Sequence, residues 1–413
     1  MANGITNLIS KLGKIQTFKV FSHGNFVLLF LTTITVSVGN FMMMVALGWL
    51  VLELTDSPLS LGVVWATRSA PHMVFGVLAG TFADRFNRRL LLIVTFILLA
   101  ISSFIIGILI TLELIQLWHV LVLTFVMGSL MTFDGATRQA FVVDIVGRDD
   151  AMSAISVNAV GMRIIGIFGG AAAGFVIEWW GTDWCFYIKL VTYIVAIVLL
   201  LFIRGVEKIG ESKKQSIRGS FVDGFKILGQ NQVILALMVM TAACEIFGFS
   251  YGVLTPVFAR DVLDVGAIGL GMFSTAASAG GLIALVVLAS LGNYKHKGRL
   301  MLGVFLAFGI SLILFSQSPW YPLSLVLLGL VGAMAASHDA LQHTLMQLNV
   351  TDEQRGRAMG IWQMGIGFGP VGMLTLGWLA DMFGAQLALS SFGLAMVVIF
   401  AMLLVFTPRL RNV

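Results

Sequence analysis

Gly80-Thr-Phe-Ala-Asp84-Arg85-Phe-Asn-Arg88-Arg89 sets four charges between two long apolar runs, in a chain of 413 residues of which only 11% are charged. Charges this dense are excluded from hydrocarbon, so the stretch reads as a short cytoplasmic loop joining two membrane helices. The rest of the chain agrees. With 58% hydrophobic residues, a mean hydropathy of +0.98 and 45 glycines, it has too little polar surface to cover a water-soluble body, and glycine is common in membrane helices. About 20 residues span the bilayer core. Twelve such runs can be placed, beginning near Phe26, Leu59, Leu90, Ile115, Ala151, Trp184, Val233, Gly266, Leu300, Trp320, Ala358 and Gln386. The expectation is an all-α membrane protein of twelve transmembrane helices.

Basic residues collect on the cytoplasmic side of short loops. If the N-terminus and every loop after an even-numbered span lie inside, they hold 20 of the 25 Lys and Arg. Lys189 and Arg260 then fall near the outer side, while Arg68, Arg138 and Arg163 lie within spans. Both termini are expected in the cytoplasm and the protein in the cell's inner membrane. The formal charge of +5 is thereby explained by topology, which leaves a nucleic-acid partner without support. Met1 to Asn25 lacks the compact apolar core and small-residue site of a cleavable signal. Cys185 and Cys244 show no metal-like spacing and read as small apolar fillers.

The chain also repeats itself. Asp134-Gly-Ala-Thr-Arg138-Gln-Ala-Phe-Val-Val-Asp144 in the fourth span aligns with Asp339-Ala-Leu-Gln-His343-Thr-Leu-Met-Gln-Leu-Asn349 in the tenth. Asp134 thus pairs with Asp339, Arg138 with His343 and Asp144 with Asn349. The polar run Glu207 to Gly219 breaks the hydropathy midway. The reading is a six-helix half at 1–203, a cytoplasmic linker with an amphipathic surface helix at 204–229, and a second six-helix half at 230–413.

Four stretches now carry a resemblance: Trp49-Leu-Val-Leu-Glu53-Leu-Thr-Asp-Ser-Pro58-Leu-Ser-Leu-Gly62, the Gly80 to Arg89 loop, Arg138-Gln-Ala-Phe-Val-Val-Asp144, and Gln354-Arg-Gly-Arg357-Ala-Met. Together they resemble the branch of the major facilitator superfamily that contains macrolide efflux proteins and the enterobactin exporter. The resemblance implies an alternating-access exporter driven by exchange for protons. It also implies a gating role for Gly80, Asp84, Arg85, Arg88, Arg89 and Asp144, with Asp84 closing the cytoplasmic gate against the eleventh helix and Arg85 or Arg88 reaching Asp144. One departure stands in the fifth span, where antiporters of the superfamily carry G-P-x-x-G-G and this chain has Gly166-Ile-Phe-Gly169-Gly170-Ala-Ala-Ala-Gly174, without proline. Gly166, Gly170 and Gly174 still recur every fourth residue and form a smooth stripe for helix packing between the halves. Gly76, Gly80 and Asp84 share a face of the second span, as Gly365 and Gly369 do in the eleventh, so these two spans are expected to approach closely.

Ionisable groups within spans are the candidates for transport chemistry, being costly unless they face water or a partner. Arg68 and His72, Asp134 and Arg138, and Asp339 and His343 lie one turn apart and share helix faces. For Asp134 and Arg138, an inert ion pair and a role in transport both stay open. Glu245 has no basic residue within a helical turn, and a carboxyl that loads a proton when sheltered and releases it when wetted is what coupling requires. It is preferred over Asp134 and Asp339 as the proton carrier, with a salt bridge to Arg163, Arg68 or Arg138 as the alternative. His338 and His343 are splayed by their spacing, so no metal site is expected. There is no H-E-x-x-H, G-x-S-x-G or Walker motif, which argues against an enzyme, an ATP-driven pump and a bound cofactor. The reading is a monomeric, proton-coupled exporter of small amphiphilic molecules, drug- or siderophore-like. The alternative is a lipid or lysophospholipid transporter without proton exchange.

Overall fold

The computed structural model describes residues 16–206, 232–292, 294–350, 365 and 367–407. After a 3-10 turn at Gln16–Ser22, we label the helices α1 (Gly24–Thr55), α2 (Pro58–Arg85), α3 (Arg88–Thr111), α4 (Leu117–Gly147), α5 (Asp149–Trp180), α6 (Thr182–Phe202), α7 (Gln232–Val262), α8 (Gly266–Ser290), α9 (Lys297–Ser316), α10 (Tyr321–Leu348), α11 (Gly369–Phe383) and α12 (Ala385–Phe406). Ten of them are long and apolar enough to cross a membrane. The others are α2, diluted by Arg68, Pro71 and His72, and α11, of which 15 residues are described.

Local chemistry sets the breaks. Ser57 caps α2, its Oγ accepting from the Ser60 N–H, and Pro58 occupies the first turn, where a missing N–H is harmless. Asn87 likewise caps α3 through the Leu90 N–H at 3.1 Å. Between α4 and α5 the chain reverses at Gly147, whose φ of +79° suits only glycine. Gly181 and Gly384, at φ +100° and +87°, join α5 to α6 and α11 to α12. The same device at the same place in each half is the repeat, written in backbone.

Within the halves, equivalent helices pair: α2 with α4 and α8 with α10, α3 with α6 and α9 with α12. The halves meet along α5 against α8 and α2 against α11. Leu31, Leu98, Val195, Ile283 and Val398 remain exposed on the bundle, as expected of helices facing lipid. The expected linker lies outside the described residues beyond Val206, as does the stretch Gln354 to Arg357.

Candidate functional site

The loop that began the reading contains little loop. α2 runs through Asp84 and Arg85, and only Phe86 and Asn87 separate it from α3. Arg88 is folded inward, 8% exposed, with its guanidinium 2.5 Å from Asp144 and 3.6 Å from Asp84. It also donates to the Ala83 and Ala140 carbonyls. Arg89 donates to the carbonyls of Leu200 and Leu201 at the end of α6, where the last turn of a helix has no internal donors left. Of the two arginines the resemblance offered to Asp144, the structure places Arg88 there and leaves Arg85 exposed. These bonds tie α2, α3, α4 and α6 together on what we call the basic face, and all lie within the first half.

The close approach of α2 and α11 lies elsewhere than expected. Among the described residues no atom comes within 4 Å of a Cβ built on Gly76 or Gly80. The helices touch near the opposite face instead, where a Cβ on Gly62 would sit 2.6 Å from the Met373 carbonyl and one on Gly377 2.8 Å from that of Pro58. Ser57 donates to Asp381 there at 2.9 Å. Arg260, at the end of α7, donates to the Leu52 carbonyl at 3.1 Å and pairs with Asp56 and Asp261. Gly48 backs directly onto Pro256. This latch joins the halves opposite the basic face. Its partners across the halves lie 204 to 324 residues apart, and no local pattern in the sequence announces them.

The glycine stripe of α5 packs on α8. A Cβ on Gly166 would meet Ser278 at 2.8 Å, one on Gly170 the Gly271 carbonyl at 2.9 Å, and one on Gly174 the Ala267 carbonyl at 2.6 Å. Gly365 packs on Met238 and Thr241 of α7, and Gly369 stands beside Glu245.

In the interior of the first half, Arg138 holds both oxygens of Asp134, at 2.8 and 2.9 Å, and donates to Thr33. Arg68 stacks 5.4 Å over the Trp65 ring and reaches Met131 Sδ at 3.2 Å. His72, one turn on, is exposed. Lys189 corrects the reading that put it near the outer side: it is fully buried inside α6, with Nζ 2.8 Å from Met43 Sδ and 5.7 Å from the Tyr193 ring. Loop counting missed it because α6 already begins at Thr182, two turns earlier.

The second half is different. Glu245 lies in a π-helical turn, Cys244–Gly248, that interrupts α7; such turns disturb the backbone ladder and gather at functional sites. Among the described residues Glu245 forms no salt bridge, so pairing with Arg163, Arg68 or Arg138 is absent from this conformation. Asp339 is exposed midway along α10 and lies within electrostatic range of Glu245 and of Arg163 on α5. Arg163 in turn lies against Gly281 of α8. His343 sits beside Gln347 and is exposed, while His338 is buried with Nδ1 3.4 Å from Cys244 Sγ. The thiol therefore has a polar neighbour that the filler reading did not include. Among the described residues no three His, Cys, Asp or Glu side chains gather as metal ligands.

A twice-repeated helical bundle whose halves latch on one face around a few buried charges defines a transporter of the major facilitator type. The chain belongs to the transmembrane secretion effector family of that superfamily, whose model matches residues 15–413. It is 26% identical over 372 residues to the staphyloferrin A transporter of Staphylococcus aureus, covering 87% of this chain and 91% of that one. With the multidrug efflux pump Tap of Mycolicibacterium fortuitum it shares 24% over 400 residues, 94% of this chain and 97% of the pump. The fold is similar to that of the nucleoside transporter NupG, with a TM-score of 0.75 at 15% identity over 92% of this chain and 99% of the other.

Proposed function

We propose that the protein is a proton-coupled exporter of small amphiphilic molecules, drug- or siderophore-like, working as a monomer by alternating access in the inner membrane with both termini in the cytoplasm. The names of the relatives, a siderophore transporter and a multidrug efflux pump, support the cargo class. With the basic face in the cytoplasm, the latch of Ser57, Asp381, Arg260 and Asp56 closes the outer side. In the opposite state Asp84, at the end of α2, would close the cytoplasmic side.

The observation that carries the coupling is the contrast between acids. Asp134 is held at both oxygens by Arg138, whereas Glu245 sits in an irregular turn without a cationic partner and with Asp339 in range. Two carboxyls within electrostatic range of each other disfavour double ionisation. Arg163 is in range of Asp339 and, among the described residues, forms no salt bridge with Glu245, which suits Glu245 as the group that takes up and releases a proton as the halves move.

The test is flux in proteoliposomes loaded with a pH-sensitive dye. Addition of a transported drug or dye should move protons the other way, and an uncoupler should abolish uphill transport. Uphill transport that ignores the uncoupler would overturn proton coupling. Gradient-independent movement of a fluorescent lysophospholipid, with no drug flux, would favour the lipid transporter.

A further inference from the structure

The first half contains hydrogen-bond donors without acceptors. The Trp65 side chain is 8% exposed, and its Nε1–H is buried with no partner among the described residues. Arg68 Nε, one turn along α2, is likewise buried and unpartnered. Its terminal nitrogen meets only the sulfur of Met131, a weak acceptor. Lys189, fully buried and within electrostatic range of Arg68, directs its Nζ at another thioether, Met43. Among the described residues neither cation pairs with a carboxylate. The acid of this region, Asp134, already has both oxygens on Arg138. Thr137 Oγ1 and Asn158 Oδ1 of the same half are also buried without partners among the described residues, but around Arg68 the unmet groups are donors. Trp65 Nε1 and Arg68 Nε have no partner there and Lys189 meets only a thioether, so the complement at that point is an acceptor-rich anion.

We propose that Arg68, with the Trp65 N–H beside it, binds a negatively charged oxygen group of the cargo, a carboxylate or phenolate, and that Lys189 holds it there by a second positive charge. Arg68 is partly buried and Lys189 fully enclosed, so the arginine makes the contact and the lysine is a positioning residue acting from behind it. The buried indole under the guanidinium gives the charge an aromatic, low-dielectric setting, which fits an aromatic or amphiphilic acid better than a strongly hydrated one. The proposal rests on the reading of the chain as a transporter of small molecules and narrows its cargo.

Fluorescein, an aromatic carboxylate and phenolate, and ethidium, an aromatic cation of similar breadth, are the probes. Binding is followed by anisotropy on the full-length protein in detergent. Fluorescein should bind saturably and ethidium should not displace it. Arg68→Gln and Lys189→Met should each weaken fluorescein binding about tenfold or more, the loss of one charge-assisted contact, and Trp65→Phe less. Arg68→Lys and Lys189→Arg should restore most of it, which separates lost charge from lost packing. No saturable fluorescein binding, equal binding of both dyes, or unchanged affinity in both charge-removing variants would overturn the proposal. Fluorescein binding without flux would defeat the export reading and leave this one standing; ethidium export without fluorescein binding would do the reverse.

Discussion

Between the end turns of its helices the first half carries Arg68, Arg138, Arg163 and Lys189 against one acid, Asp134, whereas the described part of the second carries Glu245 and Asp339 and no Lys or Arg. Yet the two halves share a helix plan, down to Gly181 and Gly384 at the same turn. The bundle fixes positions, and the side chains at those positions carry opposite charge. In low dielectric a buried charge needs a partner or a change of protonation. An arginine keeps its proton and so waits for an anion, while a carboxyl can take a proton instead. Under the proposed function, the half with fixed positive charge holds cargo and the half with acids exchanges protons. Arg163 lies between them, rooted in α5, against Gly281 of α8 and within electrostatic range of Asp339.

The comparison is broken most severely if coupling lies in the wrong half. Glu245→Gln should abolish pH-gradient-driven efflux while leaving downhill exchange, since an amide cannot release a proton. Asp134→Asn should leave gradient-driven efflux in place. Proteoliposome flux with and without an imposed gradient decides it, and the opposite pattern would move coupling to the first half.

Stability gives the next largest effect. Arg138→Met leaves Asp134 without its partner and should destabilise the protein by about 3–5 kcal/mol, read as lower thermal stability in detergent. Adding Asp134→Leu should recover most of the loss. Full recovery by the double variant with intact transport would mark the pair as structural.

Smaller again is the seam between the halves. Gly170→Leu forces a side chain against the Gly271 carbonyl, and overpacking of this kind costs about 1–3 kcal/mol. It should part the halves on the latched side. Disulfide formation between cysteines placed at Ser57 and Asp381 should then fall severalfold in membranes, while expression is maintained. Unchanged cross-linking would show that α8 yields without opening the latch.

The smallest effect belongs to Arg260. Its side chain is 27% exposed, and that of Asp56 is 83% exposed, so Arg260→Gln should change the latch by about 0–1 kcal/mol at most. The change should shrink as salt is raised. A large, salt-insensitive loss of cross-linking at Ser57 and Asp381 would show that the Leu52 carbonyl contact matters more than the ion pair.

Much of this was legible in advance because it depends on composition and local spacing. Hydropathy gave the class, and the Asp134 and Asp339 stretches gave the repeat. The fourth-residue spacing of Gly166, Gly170 and Gly174 gave a stripe that packs on α8. The α2–α11 contact was misplaced for a physical reason: Gly76 and Gly80 can be approached, but which end of α2 touches α11 depends on the conformation, which one helix does not encode. Lys189 was misread because a lone lysine early in a span resembles one that snorkels to the interface.

The sequence alone determined that this chain lives in a bilayer and folds as helices in two related halves, because partition into hydrocarbon and helical period are properties of short windows, while its place among major facilitator exporters rested on the resemblance of four short motifs. Tertiary structure alone decided that Arg88 rather than Arg85 meets Asp144, that Asp134 is tied up while Glu245 is not, and that Lys189 and Arg68 share one interior. Pairing between charges depends on distances across helices, and those distances exist only after packing has brought residues far apart in the chain within reach of each other.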